Sequence, residues 1–480
     1  MARIRKAASP ARTGTEPTVE PAADRHRAKI RMYCHGLGDC FLVTLPRDTP
    51  VDGREQAFIL IDCGLILGTG DAKAKMREVV ANIAETTGGF IDLLVVTHEH
   101  WDHVSGFAQA QTEFKSITFG SVWFGWTENP DDEKAQALVT RRSAAIKALV
   151  DSGVRMRGFG VDAAADTVNT FLGFFGEDID TEERLGAAGT HSTRSALEIA
   201  RGFVKTPRYC KPTEPPGRIA GTGARLYVLG PPEDETLLRT SLPSKRDPET
   251  YGMDGTDAWA ALFLKELEGD PDSQSAPFGQ QSAIPMDVAR TVPFFSDRYW
   301  GGGEDGGAWR RIDGDWLAAS TELALRLDND TNNTSLVLAI ELDGGDVLLF
   351  AADAQVGNWL SWQDLKWTVD GRTVTGPDLL KRTVFYKVGH HGSHNATLRQ
   401  KGLELMDKLQ LAMIPVDQEM ARKKKWDHMP LPELVEALTA RTGGYLVRSD
   451  GPPPAALGAV LEEGHTASSE KRRLYYEYTL

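Results

Sequence analysis

Seven consecutive residues, Thr97-His98-Glu99-His100-Trp101-Asp102-His103, limit what this chain can fold into more than any other stretch. They follow without a gap on Phe90-Ile91-Asp92-Leu93-Leu94-Val95-Val96. That short apolar run, rich in branched side chains, predicts a buried strand. The polar cluster then belongs to the turn leaving the carboxyl end of a strand, where open α/β sheets place their ligand sites. His and Asp are first-choice ligands for zinc-like ions, and this spacing lets His98 and His100 reach one ion while Asp102 and His103 reach another. A lone histidine in a surface loop asks for no such explanation, whereas this cluster does. A metal site is expected.

Other short motifs follow in order along the chain. His35-Gly36-Leu37-Gly38-Asp39-Cys40 lies near the start, and Phe58-Ile59-Leu60-Ile61-Asp62-Cys63-Gly64 reads as a strand ending in Asp-x-Gly. Later come Asn332-Asn333-Thr334-Ser335-Leu336-Val337-Leu338, Leu348-Leu349-Phe350-Ala351-Ala352-Asp353-Ala354 and Lys387-Val388-Gly389-His390-His391-Gly392-Ser393. Together with the His-x-His-x-Asp-His cluster, this series resembles the metallo-β-lactamase fold superfamily. Within it, the series resembles the soluble domain of the DNA-uptake protein ComEC and its stand-alone relatives.

The resemblance implies an α/β fold, a four-layer αββα sandwich with helical and loop insertions. It also implies two divalent metal ions, zinc by default, with manganese tolerated. His98 and His100 would hold one ion, and Asp102, His103 and His391 the other, with Asp353 bridging. Asp62 would orient a ligand imidazole or a bound water. His390 would support the site or simply pack beside it. Asp62 and Asp353 have a simpler reading too, because Asp favours strand ends on its own account. Many superfamily members add a further His to the first ion. The segment that looks equivalent here, Arg225-Leu226-Tyr227-Val228-Leu229-Gly230, has none. The only His between His103 and His390 is His191, before what reads as a helix start. The first ion would therefore be held more openly.

At 480 residues and 41% apolar content the chain can bury a large core, as two domains or as one with insertions. Residues 1–28 are rich in Ala, Arg, Pro and Thr without hydrophobic period, so a disordered basic tail is expected there. The metallo-β-lactamase-like hydrolase domain that the resemblance implies would then cover 29–480, with a mostly helical insertion over about 128–222 and a loop-rich excursion over about 231–330. A helix is predicted from Lys73 to about Thr87, ended by Gly88-Gly89, and another from Asp131 to Asp151, ended by Gly153. The Gly-rich run Trp300–Gly307 is expected to be surface loop rather than a phosphate cradle, since no strand leads into it. No run is long and apolar enough for a bilayer, and the basic start is followed by no hydrophobic segment. The four cysteines lack metal-finger spacing. A cytoplasmic protein with reduced thiols and no membrane partner is expected.

Near the end, Leu411–Val416 reads as a strand, followed by Arg422-Lys423-Lys424-Lys425-Trp426-Asp427-His428 and a helix beginning at Leu431-Pro432-Glu433. His428 looks like the counterpart of a residue that ComEC-like proteins keep beside their metals. The resemblance therefore makes it, with Asp102, a catalytic candidate, and Ser393 and His394 neighbours at the rim. Lys424 and Lys425 could grip a phosphate, or form an ordinary solvated face. The resulting expectation is a phosphodiesterase or nuclease acting on a nucleotide or nucleic acid through a hydroxide bridging the ions. A net charge of −14 argues against a broad nucleic-acid-binding surface, so a small nucleotide or short strand fits better than duplex. A lactone, ester or β-lactam hydrolase is the alternative, and a non-catalytic metal-binding module is a third. Protein partners leave no mark in the sequence.

Overall fold

The computed structural model describes residues 27–158, 162–180, 192–243, 286–300, 315–426, 428–458, 461–466 and 471–480, together with positions 250 and 284. His191, Asp427, most of the Gly-rich run and all but the last two residues of the proposed tail lie outside these residues. The chain is mixed α/β. It opens with strands β1 (Lys29–Tyr33), β2 (Phe41–Val51), β3 (Arg54–Ile61), β4 (Phe90–Val96), β5 (Thr118–Gly125) and β6 (Arg208–Cys210). Next come β7 (Gly217–Arg218), β8 (Arg225–Gly230), β9 (Val337–Glu341) and β10 (Val347–Phe350), then a separate hairpin, β11 (Lys366–Val369) and β12 (Arg372–Thr375). The last are β13 (Thr383–Lys387), β14 (Leu411–Ile414), β15 (Leu446–Arg448), β16 (Leu461–His465) and β17 (Arg473–Thr479).

One eight-stranded sheet runs β16-β17-β1-β2-β3-β4-β5-β6, and a seven-stranded sheet runs β15-β14-β13-β10-β9-β8-β7. Strands β3 to β6 are parallel neighbours, as are β10, β13, β14 and β15. Alternation along the strands explains how the sheets pack. Ile59, Ile61, Leu93 and Val95 of the first sheet join Leu338, Ile340, Leu348 and Phe350 of the second in one buried cluster. Their neighbours Leu60, Leu94 and Val96 turn the other way, toward helices, and so do Val337, Ala339, Val347 and Leu349. Each buried aliphatic side chain contributes roughly 1.5–3 kcal/mol on leaving water, so register is strongly held on both faces.

The helices that matter for the site are α1 (Ala72–Thr87), α2 (Trp101–Gln109), α3 (Glu133–Gly158), α4 (Asp162–Leu172), α5 (Thr193–Arg201), α6 (Asp315–Asn332) and α7 (Pro432–Arg441). Helix α1 buries Met76, Val79, Val80 and Ile83 and stops at Gly88 in the left-handed region, where the Gly89 amide donates to Ala84 O, as its sequence predicts. Helix α3 departs from expectation by continuing past Gly153. A methyl at Gly153 would meet Ile179 at 3.0 Å, so this glycine admits a close neighbour instead of ending the helix. Helices α3 to α5 occupy the middle of the 128–222 stretch, and its end returns to the sheets as β6 and β7. The 231–330 stretch ends in α6, which packs on α3 and α4. Among the described residues no helix is long and apolar enough to cross a membrane, and all four cysteines are free.

Candidate metal centre

The carboxyl ends of parallel strands from both sheets meet at one place. Asp62 follows β3, His98 and His100 follow β4, Asp353 follows β10, and His391 follows β13. The turn after β4 is held on several sides. The Thr97 amide donates to Asp62 Oδ1 at 2.8 Å, and Thr97 Oγ1 donates to Asp62 Oδ2 at 2.7 Å. From the second sheet, Leu336 N donates to Thr97 O at 2.8 Å. Helix α2 begins immediately, so Asp102 and His103 lie in its first turn. The early motifs interlock beneath it, with Asp39 N donating to Asp102 O and Cys63 N to His103 O, each at 2.9 Å. A methyl on Gly64 would run into the backbone of Asp102 and His103, which explains the glycine in Asp-x-Gly.

Asp102, His103, Asp353 and His391 are fully buried, and their ligand atoms lie within 4.8 Å of one another. The approaches are 2.9 Å (His391 Nε2 to Asp102 Oδ2), 3.1 Å (His103 Nε2 to Asp353 Oδ2), 3.8 Å (His103 Nε2 to Asp102 Oδ2) and 3.9 Å (His391 Nε2 to Asp353 Oδ2). A tetrahedral zinc with bonds of about 2.0–2.1 Å has ligand–ligand edges of about 3.3 Å, inside that spread. His103 Nε2 and Asp353 Oδ2 have only each other, at 3.1 Å and outside good hydrogen-bond geometry, and Asp102 Oδ1 is buried without a partner. Orphaned groups of this kind ask for a counter-ion. Beside them, His98 Nε2 and His100 Nδ1 face each other at 3.0 Å. These buried groups can hold metal.

The outer ring nitrogens are occupied by other partners. His103 Nδ1 lies 2.8 Å from Asp62 Oδ2, His391 Nδ1 donates to Pro415 O at 2.6 Å, and His98 Nδ1 sits 3.1 Å from Thr97 Oγ1 and 3.3 Å from Ser335 Oγ. Such contacts fix which nitrogen faces a metal. Asp39, Asp62 and His103 also converge, but the Lys387 ammonium pairs with Asp39 there, so that group supports the centre.

Charge divides the centre into two halves. Burial holds His98 well below its ordinary value and His100 down at about 3, leaving both rings neutral and able to ligate. Burial also opposes protonation of His103 and His391, but Asp353 and the neighbouring carboxylates override it, raising His391 and lifting His103 well above the usual range. For Asp353, burial works against ionisation, yet His103, Lys387 and His391 hold it well below the carboxylate range. Without an ion the second half is thus an array of ion pairs, and a cation would displace its imidazole protons.

A cavity of about 630 Å³ lies beside the centre, walled by His390, Ser393, His394, Lys425 and His428 among others. Of the remaining sequence candidates, Lys424 does not line it. A methyl at Gly68 or Gly173 would meet Lys424 Nζ at 3.6 or 3.5 Å, which places that side chain against their backbone. The basic run therefore splits, with Lys425 at the cavity and Lys424 away from it. His390 donates its amide to Asp353 Oδ1 at 3.1 Å, while its ring, pushed by burial down to about 4, stays neutral. Burial also lowers His394.

Several contributors carry no signal in the sequence. Lys387 is buried between Asp39 and Asp353, 3.4 Å from Asp353 Oδ1, and donates to Ala352 O at 2.9 Å. Glu99, inside the metal loop, pairs with Arg142 of α3 at 2.6 Å, and Arg142 reaches Glu128 at 2.7 Å. Phe174 packs on the His100 ring at 5.2 Å and stacks on Trp426 at 4.8 Å, carrying an aromatic wall from ligand to cavity. Asp328 of α6 lines the cavity and approaches His100. Local reading could single out none of these, because each partner lies far along the chain. Compared with models of known protein families and with curated proteins, the chain matches none.

Proposed function

We propose that this chain is a dinuclear metal-dependent hydrolase of the metallo-β-lactamase type, ComEC-like, acting on a phosphodiester of a nucleotide or short nucleic acid. Two facing sheets with helices on their outer faces support the αββα reading. The observation that carries the function is the convergence of Asp102, His103, Asp353 and His391 on one buried point beside His98 and His100. A mixed His and Asp set suits zinc, with manganese tolerated. Bound there, divalent ions would acidify water and neutralise charge growing on the attacked group.

The chain's own residues supply the rest. Asp62, Pro415 and Lys387 hold the proposed ligands in place, and the cavity beside them offers room for a substrate. His428 and Lys425, on its wall, can meet a phosphate and pass a proton to the departing oxygen. The volume suits a small ligand, and a net charge of −14 disfavours long duplex.

The test is hydrolysis of an aryl phosphodiester by protein loaded with zinc or manganese, beside His391→Ala. Metal-dependent turnover that the variant loses supports the proposal, and absence of turnover with ions bound refutes it. An ester or lactone is the second reading, favoured by the apolar wall of Phe171, Phe174 and Trp426. It predicts turnover that polyanions do not inhibit.

A further inference from the structure

We infer that Asp328, carried in by α6, is the positioning residue for the first ion, accepting the Nε2 proton of His100 so that Nδ1 faces His98. This rests on the two-ion reading above.

Four imidazoles form the proposed centre, and three have the nitrogen that faces away from it satisfied, by Thr97 and Ser335, by Asp62 and by Pro415. His100 is the exception. Its Nδ1 is turned to His98 Nε2 at 3.0 Å, while its Nε2 is buried and unpartnered. Phe174 and Phe175 crowd the ring, with centroids 5.2 and 5.0 Å away, and offer no acceptor.

The carboxyl oxygen facing that nitrogen belongs to Asp328, an acid that burial and the nearby Asp102 and Asp353 carboxylates push well above its ordinary value in the absence of a cation. Its Oδ1 is 3.8 Å from His100 Nε2 and is itself buried without a partner. The other oxygen accepts from Asn332 Nδ2 at 3.2 Å, one turn along α6, which fixes the carboxylate on the helix. Two orphaned atoms of complementary type therefore face each other across a gap that a shift of about 1 Å closes to hydrogen-bond distance.

Chemistry gives the pair a purpose. An imidazole that donates its Nδ1 lone pair to a cation must carry its proton on Nε2. A carboxylate receiving that proton fixes the tautomer and makes the ring a better ligand. Asp62 stands in this relation to His103, and Asp328 supplies the counterpart for His100. The requirement is sharper on this side, because β8 carries no imidazole to share the ion.

The test is competition between the protein and a chromophoric zinc chelator, with Asp328→Asn, Asp328→Ala and, as a control on the same helix, Leu325→Ala. Wild type is expected to take up two ions. Both Asp328 variants should hold one of them about 10–100-fold more weakly and the other unchanged. His391→Ala should weaken the complementary ion, which assigns the sites. Asn preserves size and the helix contact, so a purely packing role would leave Asp328→Asn at wild-type affinity. Wild-type affinity for both ions in Asp328→Ala would overturn the inference, as would equal weakening in Leu325→Ala. No ion uptake by wild type would sink the two-ion reading and this inference together. Selective loss of one ion without phosphodiester turnover would leave the inference standing while ending the hydrolase reading.

Discussion

Asp62 Oδ2 lies 2.8 Å from His103 Nδ1, and neither side chain is exposed to solvent. The same carboxylate also accepts from the amide and hydroxyl of Thr97. One residue at the end of β3 therefore sets both the path of the loop after β4 and the orientation of a ring proposed to hold metal. Asp62→Asn should weaken zinc binding about 10–100-fold. Chelator competition measures it, and unchanged affinity would show the contact to be ornamental.

Metal binding should strengthen as pH rises. His103 and His391 are raised above their ordinary values, by Asp353 and the neighbouring carboxylates against the effect of burial, so protons compete with a cation for both rings on the acid side. A cation needs their lone pairs, hence each proton must leave. Affinity is thus lowest on the acid side and rises through the folded-state values. Calorimetry in buffers of different ionisation enthalpy should register proton release. A pH-independent affinity would contradict the charge pattern.

Arg142 is buried with Glu99 and Glu128 as partners. Removing it leaves Glu128 with Arg194 and Arg201, each at 3.4 Å, and Glu99 with the Thr193 hydroxyl at 3.1 Å, so Arg142→Met should cost about 1–3 kcal/mol. Urea denaturation gives the value. Because Glu99 sits between His98 and His100, metal retention should fall as well, and a destabilisation below about 1 kcal/mol would mean the network is solvated.

Gly64→Ala should damage the centre without touching a ligand. The new methyl collides with the Asp102 and His103 backbone, and overpacking of this kind costs roughly 1–3 kcal/mol. Reduced metal content together with a lower Tm is expected, and a variant that retains both values would refute the account of the motif.

The two neighbouring lysines should behave differently on an aryl phosphodiester. Lys425→Ala should raise KM and Lys424→Ala should leave it unchanged, since only Lys425 lines the cavity. His428→Ala should lower kcat about 10²-fold or more if its proton reaches the leaving oxygen. Equal effects from both lysines would point to diffuse electrostatics.

Periodic and local features were legible in the sequence. Strand β4, helix α1 with its Gly88 terminus, and α7 starting at Pro432 follow from patterns within one element. The gathering of Asp102, His103, Asp353 and His391 was implied only by the family resemblance that their short motifs carry, since no spacing within one element joins them. Gly153 misled because glycine ends helices by conformation yet enters them to make room, and only the neighbour Ile179 decides which. Glu99 with Arg142, Lys387 with Asp39, and His100 with Asp328 were invisible for another reason. Polar contacts between distant residues leave no spacing to read.

The ring stack from His100 through Phe174 to Trp426 joins a ligand to the cavity wall as one rigid piece. Remodelling that wall at Phe174 would disturb a ring proposed to hold the ion, whereas Leu325, which lines the same cavity and is 44% exposed, is less constrained. Divergence in chains built on this plan should therefore accumulate at exposed cavity positions such as Leu325 and spare both the aromatic column and Asp328.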